Sequence, residues 1–292
     1  MKILVTGSNG QVGHSLVKLL SQMDFDFKAL SRNELDISDS EAVDDIIKNY
    51  LPDIVINAAA YTAVDKAETE MELAYKINAE GAKNLAVASS RYGASIFHIS
   101  TDYVFAGSKV DCYCEDDETN PQCVYGASKL AGEKNVALAN QRHIIIRTAW
   151  VFGEHGSNFV KTMLRLGREK DSLGIVADQF GGPTYAGDIA AALIKICIAC
   201  NEQEKVNWGI YHYSGAPHVS WFEFASAIFN EAKSQGVFVA PKLELKKIET
   251  AQFPTPAKRP SNSKLECSKI QQEFDISPSD WMSALKNIQA YS

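Results

Sequence analysis

The chain has 292 residues, 46% of them hydrophobic and 22% charged, with a net charge of -7. That length can bury one elaborate core or two smaller ones, and the acidic balance excludes a general nucleic-acid or membrane surface, because polyanions would be repelled except at a local basic pocket. No apolar run approaches about 20 residues and the N-terminus leads directly into a strand-like segment, so a cytosolic protein with neither signal peptide nor spanning helix is expected.

Lys2 to Thr6 reads as a short buried strand that runs into Gly7-Ser-Asn9-Gly10-Gln11-Val12-Gly13 and an amphipathic helix through Leu20. A G-x-x-G-x-x-G turn between strand and helix is a variant of the dinucleotide fingerprint. The first glycine permits the tight turn, the second lets backbone approach a pyrophosphate, and the third allows close helix packing. The helix N-terminus adds N–H groups and positive dipole. A second strand, Asp26 to Leu30, ends at Ser31-Arg32. A carboxylate there would hold the ribose hydroxyls of NAD, whereas an arginine accepts a 2′-phosphate, so Arg32 favours NADPH and leaves NADH open. Asp36-Ile37 is expected to border the adenine.

Ser38 to Tyr50 has helical spacing with an acidic first turn, and Asp53 to Asn57 is the next buried strand. It ends in Ala58-Ala59-Ala60-Tyr-Thr62, whose small residues leave room for a cofactor to pass over the backbone. One long helical region is expected from about Val64 to Tyr92, carrying Asn78 and Asn84, followed by a strand over Ser95 to Ser100. Thr101 then stands at a carboxyl strand end, where open α/β sheets bind ligands. His98 reads as a satisfied core or cofactor-side residue. Tyr103 to Pro121 is expected to be irregular, and its Glu115-Asp-Asp-Glu118 run reads as a solvated loop. A helix from about Tyr125 to Asn140 and a strand over His143 to Thr148 complete a Rossmann-type α/β half, doubly wound on a mostly parallel sheet, in residues 1–150.

After Trp150, a helix over Asn158 to Glu169, a strand over Leu173 to Ala177, a helix over Thr184 to Cys200, a strand over Ile210 to Ser214 and a helix over Trp221 to Ser234 are joined by Gly/Pro-rich turns. Residues 151–292 are thus expected to be mainly a smaller substrate half, with some segments returning to the first. The tail segment Phe253-Pro-Thr-Pro256-Ala-Lys-Arg259-Pro-Ser-Asn262-Ser carries three prolines and a basic pair. Fixed extended backbone makes it a shaped loop, fit either to clamp a diphosphate or to serve as a surface connection. The six cysteines, Cys112, Cys114, Cys123, Cys197, Cys200 and Cys267, are expected to be thiols. The first three lack a fourth ligand at structural-zinc spacing, and Cys197 and Cys200 fall in an apolar helical run.

Tyr125 and Lys129 are four residues apart on one helix face, so the ammonium is expected beneath the phenol, favouring its ionised form. With Thr101 holding a substrate oxygen, the phenol could protonate a carbonyl as hydride reaches its carbon.

These segments together resemble the extended short-chain dehydrogenase/reductases and, within them, the dTDP-4-dehydrorhamnose reductase family. The likeness spans nearly the whole chain. It is carried by Gly7 to Gly13, Asn57 to Glu68, Ser100 to Phe105, Val124 to Glu133, Arg147 to Val151, Asn158-Phe159 and Pro254 to Ser263. The resemblance implies NADPH-dependent reduction of the C4 ketone of dTDP-4-dehydro-L-rhamnose to dTDP-L-rhamnose, the last step toward an activated sugar for surface polysaccharide. Tyr125 would be the proton donor, Lys129 would tune it and hold the nicotinamide ribose, and Thr101 would orient the ketone. Gly7, Asn9, Gly10, Gln11, Val12, Gly13, Arg32, Asp36, Ile37, Ala58, Ala59, Ala60 and Asn78 would complete the cofactor site. Thr62, Val64, Asp102, Tyr103 and Trp150 would line the sugar-nucleotide pocket, with Arg259 and Asn262 meeting the nucleotide. Some family members bind magnesium at a dimer interface through two glutamates; those positions are Ser15 and Gly187 here, and Asp188 is a poor replacement. No magnesium of that type is expected, which leaves a monomer or a metal-independent homodimer. An epimerase or dehydratase that retains NAD, or a non-catalytic regulatory subunit on the same scaffold, remain competing readings.

Overall fold

The computed structural model describes residues 1–202, 205–237, 240 and 243–291. The first half alternates strands and helices: β1 (Lys2–Thr6), α1 (Gln11–Leu20), β2 (Asp26–Leu30), α2 (Ser40–Tyr50), β3 (Ile54–Asn57), α3 (Val64–Ala67), α4 (Met71–Tyr75), α5 (Ala82–Arg91), β4 (Ser95–Thr101), α6 (Val124–Ala139) and β5 (His143–Thr148). The second half contains β6 (Val151–Phe152), α7 (Phe159–Glu169), β7 (Ser172–Val176), β8 (Phe180–Gly181), β9 (Thr184–Tyr185), α8 (Ala186–Glu202), β10 (Gly209–His212), β11 (Val219–Ser220), α9 (Trp221–Ser234), β12 (Glu244–Ile248), β13 (Asn262–Ser263), α10 (Ser268–Phe274) and α11 (Trp281–Leu285).

A six-stranded sheet in the order β10-β5-β4-β3-β1-β2 forms the centre, and every pairing in it is parallel. Both faces are covered, which is why β3 is buried at every position and begins as the apolar run Ile54-Val-Ile56. Leu16, Ile189, Leu193 and Ile270 from α1, α8 and α10 pack on one face; Val43, Leu85 and Val136 from α2, α5 and α6 pack on the other. The sixth strand and α8 come from the second half, so the chain returns to the sheet after leaving it. β2 lies on one side of β1 and β3 on the other, and that reversal opens a crevice at the carboxyl ends of the strands. A second core, with Phe152, Met163, Phe224, Ile228 and Trp281, sits under α7, α9 and α11 beside the parallel β7–β12 ribbon. Among the described residues, no helix is long and apolar enough to cross a membrane.

Two expectations change, and one strand is added. The long helix over 64–92 is broken after Ala67 and interrupted by a π-helical turn at Lys76–Gly81. Asn78 explains the interruption: its side chain accepts from the Tyr61 amide at 2.8 Å and donates to the Tyr61 carbonyl at 3.1 Å and to Ser128 at 3.0 Å. The acidic run is not merely solvated, because Glu115 accepts the His212 amide at 2.8 Å and Asp117 pairs with Lys109 at 2.6 Å. Strand β12 escaped the sequence pattern because its Glu244-Leu-Lys-Lys-Ile248 run is largely exposed and takes its order from β7.

Candidate active site

The glycine-rich turn is fixed by contacts that admit no side chain. Gly7 sits at φ 71°, and a Cβ there would meet the Ala59 nitrogen at 2.5 Å. Gly13 lies against the Gly7 carbonyl, which closes the turn onto α1. Gly10 caps α1 without a side-chain hydrogen bond, so the first amides of the helix have no capping side chain and suit a phosphate. These features fit the pyrophosphate of a dinucleotide. Asn9 offers its carbonyl to His155 Nε2 at 3.1 Å, and Gln11 accepts from Asn158 at 3.0 Å, tying the turn to the second half. Val12 is buried against the core, and Ala58, Ala59 and Ala60 form the half-buried floor beside the turn.

Arg32 is exposed just beyond β2. Asp36 accepts the Ser38 amide and hydroxyl at 3.0 and 2.8 Å, which holds its carboxyl below the ordinary range. Ile37 is buried, with its carbonyl bound by Asn84. Asn78 supports the alanine segment through Tyr61 rather than standing free over the crevice.

At the end of β4, Thr101 donates to Asp102 Oδ1 at 3.0 Å and accepts the Tyr103 amide at 3.3 Å. Cys123 caps α6 through its sulfur, and Gly126 lets the helix press against the Tyr103 carbonyl. Tyr125 is thereby set edge-on to Tyr103, with ring centroids 5.5 Å apart. Burial pushes the Tyr125 phenol above its usual range; the Thr101 hydroxyl opposes that, and Asp102 adds to it. Lys129 is fully buried and is pushed down to about 8 by burial, against the favourable charge of Glu133.

Lys129 Nζ donates to the Ile99 carbonyl at 2.7 Å and lies 3.3 Å from His98 Nε2. Behind it, Glu133 and Arg147 form a buried pair at 2.7 Å, and Ser100 donates to the same carboxylate. This pair ties α6 to β4 and β5.

Burial also pushes Asp102 up to about 6, against the hydroxyls of Ser263 and Thr101. Its Oδ2 is buried with no partner within hydrogen-bond distance.

Next to this centre is a cavity of about 660 Å³. Tyr103, Trp150 and Arg259 line it, together with Asp65, Trp221, Phe253 and one face of α7. Trp150 has φ 50° and stacks on Trp221 at 3.5 Å. Arg259 reaches across from the proline loop to Asp65 at 2.6 Å and to the Tyr103 hydroxyl at 2.9 Å. Thr62 is exposed and Val64 half-buried on the segment leading to Asp65, and neither lines the cavity. Asn262 is occupied elsewhere: its amide donates to the Lys109 and Asp111 carbonyls at 2.6 and 2.8 Å, shaping the loop.

Asp65 and Trp221 carried no usable signal alone, because each gains meaning only from a partner remote in sequence. Phe159, Thr162, Met163 and Leu166 of α7 read as an ordinary core-facing stripe. Ser15, Gly187 and Asp188 share a separate cavity of about 540 Å³ between α1 and α8, where Asp188 accepts the Ser279 hydroxyl at 2.6 Å. Cys112 lies 3.8 Å from His218, and no group of three or more His, Cys, Asp or Glu side chains among the described residues is placed to hold a metal ion.

A phosphate-fitted turn, a half-buried tyrosine beside a buried lysine and threonine at the sheet edge, and an adjoining cavity define a nicotinamide-dependent oxidoreductase of the Rossmann type. Residues 1–291 match the family model described as RmlD substrate binding domain. The chain is 51% identical to the dTDP-4-dehydrorhamnose reductase of Aggregatibacter actinomycetemcomitans over 292 residues, covering 100% of this chain and 99% of that one. The crystal structure of dTDP-4-dehydrorhamnose reductase from Bacillus anthracis in complex with NADP superposes with a TM-score of 0.91 at 37% identity, covering 100% and 99% of the two chains. That from Clostridium acetobutylicum superposes with a TM-score of 0.91 at 40% identity, covering 99% and 98%. The chain belongs to the RmlD substrate binding domain family.

Proposed function

We propose that this protein uses NADPH to reduce the C4 ketone of dTDP-4-dehydro-L-rhamnose, giving dTDP-L-rhamnose for surface polysaccharide. The observation that carries the reading is the Tyr125 phenol beside the Thr101 hydroxyl at the sheet edge, next to an aromatic cavity crossed by Arg259. The bound cofactor supplies hydride. Tyr125 gives its proton to the C4 oxygen as charge develops there. Burial keeps the phenol protonated until charge develops on the ketone oxygen beside it. Thr101 holds the ketone oxygen, and Lys129 holds the ribose and meets the phenolate left behind. Trp150, Trp221 and Phe253 offer flat apolar faces to the base. Arg259 exchanges Asp65 and Tyr103 for the diphosphate, whose charge it matches better than a phenol does.

Arg32, exposed beyond β2, supports a preference for NADPH over NADH. Serine and glycine at positions 15 and 187 support a chain without interfacial magnesium, acting as a cytosolic monomer or a metal-independent homodimer. Residues 1–150 would supply most of the cofactor half, joined by α8 and β10, and the remainder of 151–292 most of the sugar-nucleotide half.

The test is NADPH oxidation with dTDP-4-dehydrorhamnose generated in place by the upstream enzymes. Turnover yielding dTDP-L-rhamnose is expected. NADPH binding without turnover, or purification with stoichiometric NAD+ already bound, would contradict the reductase reading; the second result would point to an epimerase.

A further inference from the structure

Donor and acceptor accounting around Lys129 leads to a residue outside the catalytic trio. Asn57 Oδ1 accepts the Thr6 hydroxyl at 2.8 Å and the Ala59 backbone amide at 3.1 Å. A backbone N–H can only donate, so the orientation of the Asn57 amide is fixed and its nitrogen must face His98 Nδ1, 3.0 Å away. Nδ1 is therefore an acceptor without a proton. A neutral imidazole then carries its hydrogen on Nε2, and that N–H points at Lys129 Nζ, 3.3 Å away.

An ammonium has no lone pair to receive it, whereas a neutral amine does, while still donating to the Ile99 carbonyl at 2.7 Å. We propose that His98 is a positioning residue that holds Lys129 as a neutral amine, and that Lys129 turns toward Tyr125 as it takes up a proton. The inference deepens the reductase reading by assigning a protonation state to its lysine.

Burial of Lys129 pushes in the same direction, toward the amine. Burial holds His98 far below its ordinary range, so it stays a neutral donor. The other charges facing Lys129 are Glu133, one turn further along α6, and Arg147 of β5, which is paired with Glu133; Tyr125 shares the lysine's helix face. Glu133 favours the ammonium, so the Nε2 hydrogen bond is the group on β4 that favours the amine.

Side-chain NMR on the ligand-free wild-type protein tests this without a variant. The His98 ring should carry its proton on Nε2; a proton on Nδ1 would overturn the proposal. The Lys129 side chain is then titrated in wild type, His98→Asn and His98→Gln. Asparagine keeps an acceptor near Asn57 but removes the donor facing Lys129, and should raise the lysine midpoint by about one pH unit, the size of one net hydrogen bond. Glutamine keeps a donor and should stay near wild type. Equal midpoints in wild type and His98→Asn would also overturn the proposal. Because these readouts need neither substrate nor turnover, a failed NADPH oxidation assay would count against the reductase reading alone.

Discussion

The cleft is bounded by two loops of opposite construction. The turn at Gly7 to Gly13 is shaped by backbone against backbone, and its recognition groups are main-chain amides. The proline loop through Arg259 is held by side chains, with Asn262 binding the Lys109 and Asp111 carbonyls and Arg259 held by Asp65 and Tyr103. A backbone-built site has one conformation and no tolerance for added atoms. A site built from side-chain pairs can exchange one partner for another, which suits a loop that must release Asp65 to receive a diphosphate.

Substitutions on the two sides should therefore differ in size and in the ligand affected. Gly7→Ala forces a methyl group onto the Ala59 backbone at a positive φ. NADPH affinity should fall roughly 100-fold, in line with about 3 kcal/mol of strain, and cofactor titration measures it. A normal affinity would mean that the turn is softer than its geometry implies.

Asp102, between the two loops, tests burial rather than shape. With a folded-state pKa of about 6 against a reference of 3.8, the site favours the protonated acid. That preference stabilises fully below about pH 4 and is lost as pH rises through 6. Asp102→Asn should thus gain about 2–3 kcal/mol over wild type at pH 8, with the gain vanishing below pH 4 in thermal melts.

On the clamp side, Arg259→Ala should raise the KM for the sugar nucleotide about tenfold or more, from loss of a charge-assisted contact, with NADPH affinity unchanged. The smallest effect is expected at Asp65→Asn. Its pair with Arg259 is partly exposed, so stability should change by less than about 1 kcal/mol. KM should fall slightly as the arginine is freed; a rise would show Asp65 to be a substrate contact rather than a placeholder.

The same contrast governs what could be read from the sequence. The glycine turn, the buried strands and the placement of Thr101 at a strand end are local patterns, and each appears at its expected place. Arg259 was legible because prolines and a basic residue are conspicuous in an acidic chain. Asp65 and Trp221 were not, because their meaning depends on Arg259 and Trp150, far away in sequence. The helix over 64–92 was misread because Asn78 trades helical regularity for hydrogen bonds to Tyr61. Helix periodicity put Tyr125 and Lys129 on one face, but could not foresee that burial raises the phenol while Lys129 turns toward His98 and Ile99.

The central claim is that the Tyr125 phenol delivers the proton to the ketone. A single-turnover comparison of wild type and Tyr125→Phe, with NADPH affinity measured in parallel, tests it most directly. The account predicts a rate lower by about 10²–10⁴ with cofactor binding retained. A Tyr125→Phe enzyme that reduces dTDP-4-dehydrorhamnose within a few-fold of the wild-type rate would contradict it.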